Sequence, residues 1–334
     1  MKGGTRDRLV DYLRVHQARD QEFPMNEAAP SGYLTNGPFA DPGRYEGMLT
    51  AIVDEVGTEP SALAGRARDL MVHAFWQGAY GIQENRERTQ AETNLRTMEE
   101  KLARIAEEEK SLGRREGAVD PLPPERKLVG NCRDFSLFFA ALLRRAGVPA
   151  RARCGFGMYF IPDHGEDHWV TERWDAESSR WIIGDPQLDA IMIERLKIGF
   201  DPMDLPDGAF LSGGEAWLAC RSGDDPDKYG IFGLKGWDFI KGDFVRDVNA
   251  LVGRELLPWD LWGMMERPYV LLGEADLAAL DAAARATGMR SRITRSEAAG
   301  LCSDPRFALP RRITSYLNDA PRQVDLGPVL EKRR

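Results

Sequence analysis

The segment GNCRDFSLFFAALLRRAGVPARARCGFGMYF, residues 130–160, changes its hydrophobic period part-way along, and that change limits the folds open to the chain. Phe135, Phe138, Phe139, Leu142, Leu143 and Ala146 recur at helical spacing and make a wide apolar stripe. Gly147 and Pro149 end it. From Ala150 the period drops to two, which places Ala150, Ala152, Cys154, Phe156, Met158 and Phe160 on one face of a strand. HWVTERWD (168–175) and RWIIGD (180–185) read as two further strands around a turn at DAESSR. A helix followed by an antiparallel meander predicts an α+β fold, with a cysteine-bearing helix packed on an antiparallel sheet.

The 334 residues, 43% of them hydrophobic, are enough for a substantial core. Three regions are expected: an N-terminal arm and helices over 1–64, a core over 65–190 and a C-terminal extension over 191–334 packed on it. Residues 5–18 predict a short helix with Leu9, Tyr12, Leu13 and His16 on one face, and 21–46 read as a long loop or arm. Helical patterns follow at 45–56 and from Pro60, and another spans 274–288. The charged stretch 84–112 carries Leu95, Met98, Leu102 and Ile105 on a narrow stripe. It reads as one long helix laid on the domain, with a coiled-coil arm that joins two chains as the rival reading.

A net charge of −8 argues against nucleic-acid and membrane-surface partners, because neutralising phosphates takes clustered Lys and Arg. No apolar run approaches the roughly 20 residues of a membrane helix. The first residues also lack the apolar core of a signal peptide, so the cytoplasm is the expected location. Cys132, Cys154, Cys220 and Cys302 show no CxxC spacing and fit free thiols in a reducing compartment.

Cys132 stands at the start of the apolar helix, with Asn131 as its cap. Helix N–H groups and the macrodipole favour a thiolate there and can hold an oxyanion. A cysteine in that place also reads as simple packing, so the argument needs a base. His168 opens one predicted strand and Asp185 closes the next. Two turn positions are natural, one setting Asp185 opposite His168 and the other opposite Val170. Side chains alternate, so either register leaves His168 and Asp185 on one face as neighbours. His168 is then the expected base, and Asp185 the group that orients it.

Other chemistries fit less well. Cys132, Cys154, His164 and His168 could be drawn as a metal site, but IPDHGEDH reads as a loop and Cys154 faces the core, so no metal is expected. His164 is a rival base with nothing to tie it to Asp185. GDDPDKYG reads as a turn rather than a calcium loop, and no cofactor motif is present, so no cofactor is expected. Asp134 lies close to the nucleophile in sequence. Glu172 shares the His168 face, where a salt bridge with Arg133 or Arg173 is the expected role.

GNCRDFSLFFAALLRRAGVPARARCGF, DHWVTERWD and RWIIGDPQLD, taken in order, resemble the transglutaminase-like superfamily of papain-like cysteine enzymes. The AGVPAR link at 146–151, Trp169 after the histidine and the DP at 185–186 belong to the same resemblance. It implies a Cys132–His168–Asp185 triad and acyl transfer or amide hydrolysis through a thioester. The substrate would be an amide- or acyl-bearing small molecule, peptide or protein. Some relatives have lost the triad and serve as non-catalytic interaction scaffolds, which is the alternative. Many relatives also use a side-chain oxyanion donor upstream of the cysteine, for which Trp76, Gln77 and His73 are the candidates.

Overall fold

The computed structural model describes residues 30–317 and 320–331, so the helix expected at 5–18 lies outside the described residues. α1 (Glu46–Val56) and α2 (Pro60–Leu70) bring Met48, Leu49, Ile52, Leu63, Ala67 and Leu70 into a first apolar core. Pro60 is the first residue of α2, where its missing N–H costs nothing. β1 (Met71–His73) follows at once, then a 3-10 turn over Ala74–Tyr80.

The stretch expected as one long helix is two, α3 (Arg86–Thr93) and α4 (Met98–Ser111). The break has a chemical cause. Thr97 and Glu100 form a capping box that starts α4 afresh, satisfying N–H groups that a continuous helix would have used. Met98, Leu102 and Ile105 are buried in the first core of the same chain, with Lys101 buried between them.

β2 (Leu128–Gly130) pairs in parallel with β1 and sets His73 opposite Gly130. α5 (Cys132–Arg145) begins two residues later and is buried along nearly its whole length. β3 (Ala150–Ile161), β4 (His164–Asp175) and β5 (Arg180–Gly184) then form the expected antiparallel meander. The segment 164–168, read as a loop from its Pro and Gly, is the start of β4. The turn is confined to the two residues between Ile161 and His164, which pair across it.

After α6 (Ala190–Leu196), β6 (Phe210–Ser212) joins the free edge of β3. α7 (Gly213–Arg221) leads to β7 (Tyr229–Ile231), which pairs with the start of β4, and to β8 (Leu234–Lys235). α8 (Trp237–Ala250) crosses the sheet beside β3, and its Ala250 meets Cys132, Cys154 and Trp169. β9 (Asp260–Leu261), α9 (Glu274–Ala286), α10 (Arg295–Leu301), β10 (Arg312–Leu317), β11 (Ala320–Asp325) and a helical turn over Gly327–Leu330 follow. α7, α8 and α9 enclose a second core around Trp217, Phe244 and Trp262. Mixed helices and sheet in this arrangement make an α+β fold. Among the described residues no helix is long and apolar enough to cross a membrane.

The sheet carries a buried charge lattice. Glu172 binds Arg151 at 2.7 Å and Arg153 at 2.6 Å, and Arg153 reaches on to Asp247 at 2.8 Å. Arg133 and Arg173, the partners expected from sequence, are not used. Arg151 stands directly opposite Glu172 across the strands, whereas Arg173 is its chain neighbour and points to the other face. Arg133 is held elsewhere, by the carbonyls of Glu255 and Arg96.

Burial alone would raise the Glu172 carboxyl, but Arg151 and Arg153 hold it at about 2. Glu172→Gln should therefore cost roughly 3–5 kcal/mol, because it leaves two buried guanidiniums short of an anion. Urea titration measures this. The folded carboxyl sits below its ordinary value, so its contribution is present above pH ~4.3 and fades as pH falls toward 2. The variant's stability should lack that part of the pH dependence.

Candidate active site

The mouth of α5 is fixed before any chemistry is considered. Asn131 accepts the Asp134 N–H at 3.2 Å through Oδ1, and Asp134 Oδ2 accepts the Asn131 N–H at 3.1 Å. Asp134 Oδ1 is gripped by Lys101 at 2.9 Å and Arg133 at 3.0 Å, all three side chains fully buried. This box uses the N–H groups of Asn131 and Asp134 and does not use those of Cys132 and Arg133.

Cys132 is 9% exposed. The backbone N–H groups of Trp169 and Arg133 lie close enough to its sulfur to favour the charged form. These pull toward the thiolate, but burial pushes the thiol well above its ordinary value, and the Asp167 and Asp185 charges push the same way. The thiolate expected from the helix mouth alone is therefore outweighed, and the resting group is a thiol.

His168 Nε2 lies 2.8 Å from Asp185 Oδ2, both side chains buried. Of the two registers open to the hairpin, the structure takes the one with Thr171 opposite Gly184, which carries Asp185 to the level of Val170. His168 is then a diagonal neighbour on the same face. With Nε2 turned to the carboxylate, Nδ1 is the ring nitrogen left free of Asp185.

Asp185 itself is tightly held. Its Oδ2 also accepts the Tyr159 hydroxyl at 2.6 Å, and its Oδ1 accepts the Gln187 N–H at 3.1 Å. Tyr159 escaped the sequence reading, and Phe160 was expected on the Cys154 face. A bulge in β3 between Gly157 and Ile161 explains both. It breaks the alternation, so Phe160 and Tyr159 turn edge-on to the His168 ring at 4.8 Å and 6.0 Å.

Residues 82–186 match the family model of the transglutaminase-like superfamily. This stretch is similar to a transglutaminase-like core. The chain is also similar to a solved structure from Cytophaga hutchinsonii described provisionally as a cysteine protease. That likeness has 17% identity and a TM-score of 0.30, covers 49% of this chain and 45% of that one, and carries no argument by itself. The chain thus spans less than half of that protein's length. No curated protein matches the chain.

The three candidates for an added oxyanion donor all lie upstream of the transglutaminase-like match, and the structure separates two of them. Gln77 spends its amide nitrogen on the Ala74 carbonyl and the Thr89 hydroxyl, both at 3.1 Å. Trp76 is half-buried on the same turn. His73 is buried, stacks on Phe135 with ring centres 6.4 Å apart, and accepts the Phe75 N–H at Nδ1. Burial first, then the nearby His168, lower its pKa to about 4. It is therefore neutral at pH 7, with its proton on Nε2 and free to donate.

His164 places Nε2 3.1 Å from the Gly230 carbonyl of β7, which ties it to the sheet edge rather than to Asp185. Cys154 does face the core with Ala152 and Trp169, but two acids come with it. Its sulfur, Asp167 and Asp243 present ligand atoms within 4.8 Å of one another. Burial raises both carboxyls, Asp167 to about 6, and Arg246 binds Asp243 at 2.8 Å. Arg246 thus already offsets part of the charge of this group.

Proposed function

We propose that the chain performs cysteine-dependent acyl transfer or amide hydrolysis through a Cys132–His168–Asp185 triad. The observation that carries this reading is the 2.8 Å contact between His168 Nε2 and Asp185 Oδ2, which leaves Nδ1 as the ring nitrogen available to the Cys132 thiol. The Cys132 sulfur attacks the acyl carbon while its proton passes to His168 Nδ1, and Asp185 stabilises the imidazolium. The Cys132 N–H and His73 Nε2–H receive the oxyanion. The C–N bond then breaks, and the amine leaves with the proton from His168. Water or a second amine attacks the thioester, gives its proton to His168 and restores the thiol.

The high thiol pKa shapes this mechanism. Proton transfer accompanies attack, so reactivity depends on His168 rather than on a stored thiolate. The burial of the sulfur also favours the alternative, a non-catalytic interaction scaffold. Against it stand the three hydrogen bonds that orient Asp185, an arrangement with no use in a packed thiol.

Iodoacetamide separates the two readings. All four thiols are raised by burial, Cys220 to about 12 and Cys302 to about 11, so intrinsic acidity gives none of them an advantage. In an enzyme, Cys132 should be alkylated at least about ten-fold faster than Cys220 and Cys302 at neutral pH. His168→Ala should abolish that excess. Equal labelling of the three in the unmodified protein would leave the scaffold.

A further inference from the structure

Beside the triad lies a cavity of about 290 Å³. No triad residue lines it, but three residues close to the triad do. Phe135 comes from the first turn of α5 behind Cys132, Gln187 follows Asp185 by two residues, and His73 is the proposed oxyanion donor. Much of the rest is apolar, including Met71, Ile82 and Met192.

The polar groups in its wall are unequally satisfied. Asp189 accepts the Tyr80 hydroxyl at 2.5 Å and the Met192 N–H at 2.9 Å. Asp69 lies 3.7 Å from Arg66. The cations are not matched in the same way. Arg68 donates from Nη1 to the Pro186 carbonyl at 2.9 Å, and Lys127 donates to the Arg68 carbonyl at 2.7 Å. Among the described residues neither forms an ion pair, and burial pulls both below their ordinary pKa values. Gln187 is 4% exposed, and its carboxamide oxygen has no partner. The unused valences are thus N–H donors on two partly desolvated cations and one buried acceptor.

We propose that this cavity holds an amino-acid residue with a free carboxylate, on the amine side of the bond that Cys132 attacks. Arg68 and Lys127 take the carboxylate, and the Gln187 oxygen accepts an N–H of the same residue. The apolar wall suits an aliphatic side chain. Asp69 and Asp189 line the same cavity, so a singly charged carboxylate is repelled less than a dianionic phosphate. The substrate class is then a peptide or amide whose last residue is unblocked. Cleavage of its C–N bond releases a free amino acid, which carries off the proton from His168. This rests on the triad reading for the reaction but not for the binding.

The test is calorimetry on the Cys132→Ala protein with N-acetylleucine as the probe. N-acetylleucine should bind, and N-acetylleucinamide should bind about ten-fold or more weakly. Arg68→Met and Lys127→Met should each remove that preference, with circular dichroism confirming the fold. The acid–amide comparison needs no variant of the cavity and stands if Arg68→Met fails to fold. Equal affinity for acid and amide, no binding of either, or displacement by equimolar inorganic phosphate would overturn the subsite. Selective binding of the acid without Cys132-dependent cleavage of a free-ended peptide would keep the subsite and remove the triad reading. Cleavage of free-ended and amidated peptides at the same kcat/KM would do the reverse.

Discussion

Cys132→Ala should abolish acyl transfer and leave the fold in place. The helix mouth does not depend on the sulfur. It is held by the Asn131–Asp134 box, by Lys101 and Arg133 on Asp134, and by an apolar stripe that buries Phe135, Phe138 and Leu142. Removing one partly packed atom should cost under about 2 kcal/mol. The chemistry has no substitute nucleophile, since Cys154 is fully buried against Trp169 and Ala250. With p-nitrophenyl acetate as a generic acyl donor, the unmodified chain should gain one acetyl group on the Cys132 peptide. The variant should gain none there and should melt within a few degrees of the parent. An undiminished yield of acetylated cysteine elsewhere in the variant would remove the triad from the argument.

Asp185→Asn should lower acyl transfer by roughly 10³–10⁴-fold while changing stability far less. The carboxylate is an acceptor toward three donors, His168 Nε2–H and Tyr159 O–H at one oxygen and Gln187 N–H at the other. An amide cannot serve all of them. If its NH₂ faces His168, Nε2 must accept, the ring proton moves to Nδ1 and the base toward sulfur is lost. If it flips, NH₂ meets the Gln187 N–H, donor against donor. Single-turnover rates with the same ester measure the loss, and denaturant unfolding checks the fold. A rate within about ten-fold of the parent would show that Asp185 does not set the imidazole tautomer.

Much of the site was legible because its parts are local and periodic. The 3.6-to-2 change of period at Gly147–Ala150 locates the helix and the first strand, and period-2 alternation puts His168 and Asp185 on one face in either register. The rest fails for physical reasons. The β3 bulge sets three residues, 158–160, against one on β4, which no alternation rule contains, so Tyr159 and the turn of Phe160 toward His168 were invisible. The break at 94–97 lies inside a run of good helix formers, and only the Thr97–Glu100 pair marks it. Glu172 was expected in a salt bridge, but its partners were sought by chain proximity when strand pairing selects Arg151 and Arg153. The state of the thiol depends on burial by Ala250 of α8 and on Asp167, both far from Cys132 in the sequence.

The pairing of β1 with β2 has a consequence for where the working unit begins. Recognisable likeness starts at residue 82, yet His73 stands opposite Gly130, two positions short of Cys132, and Arg68 and Met71 reach the neighbouring cavity. The boundary of resemblance therefore cuts through the site. A fragment trimmed to that boundary would keep all three triad residues and lose the strand beside them. It would also strip from the first core the helices α1 and α2 on which α5 rests. The recognisable stretch is smaller than the set of elements that holds the candidate site together.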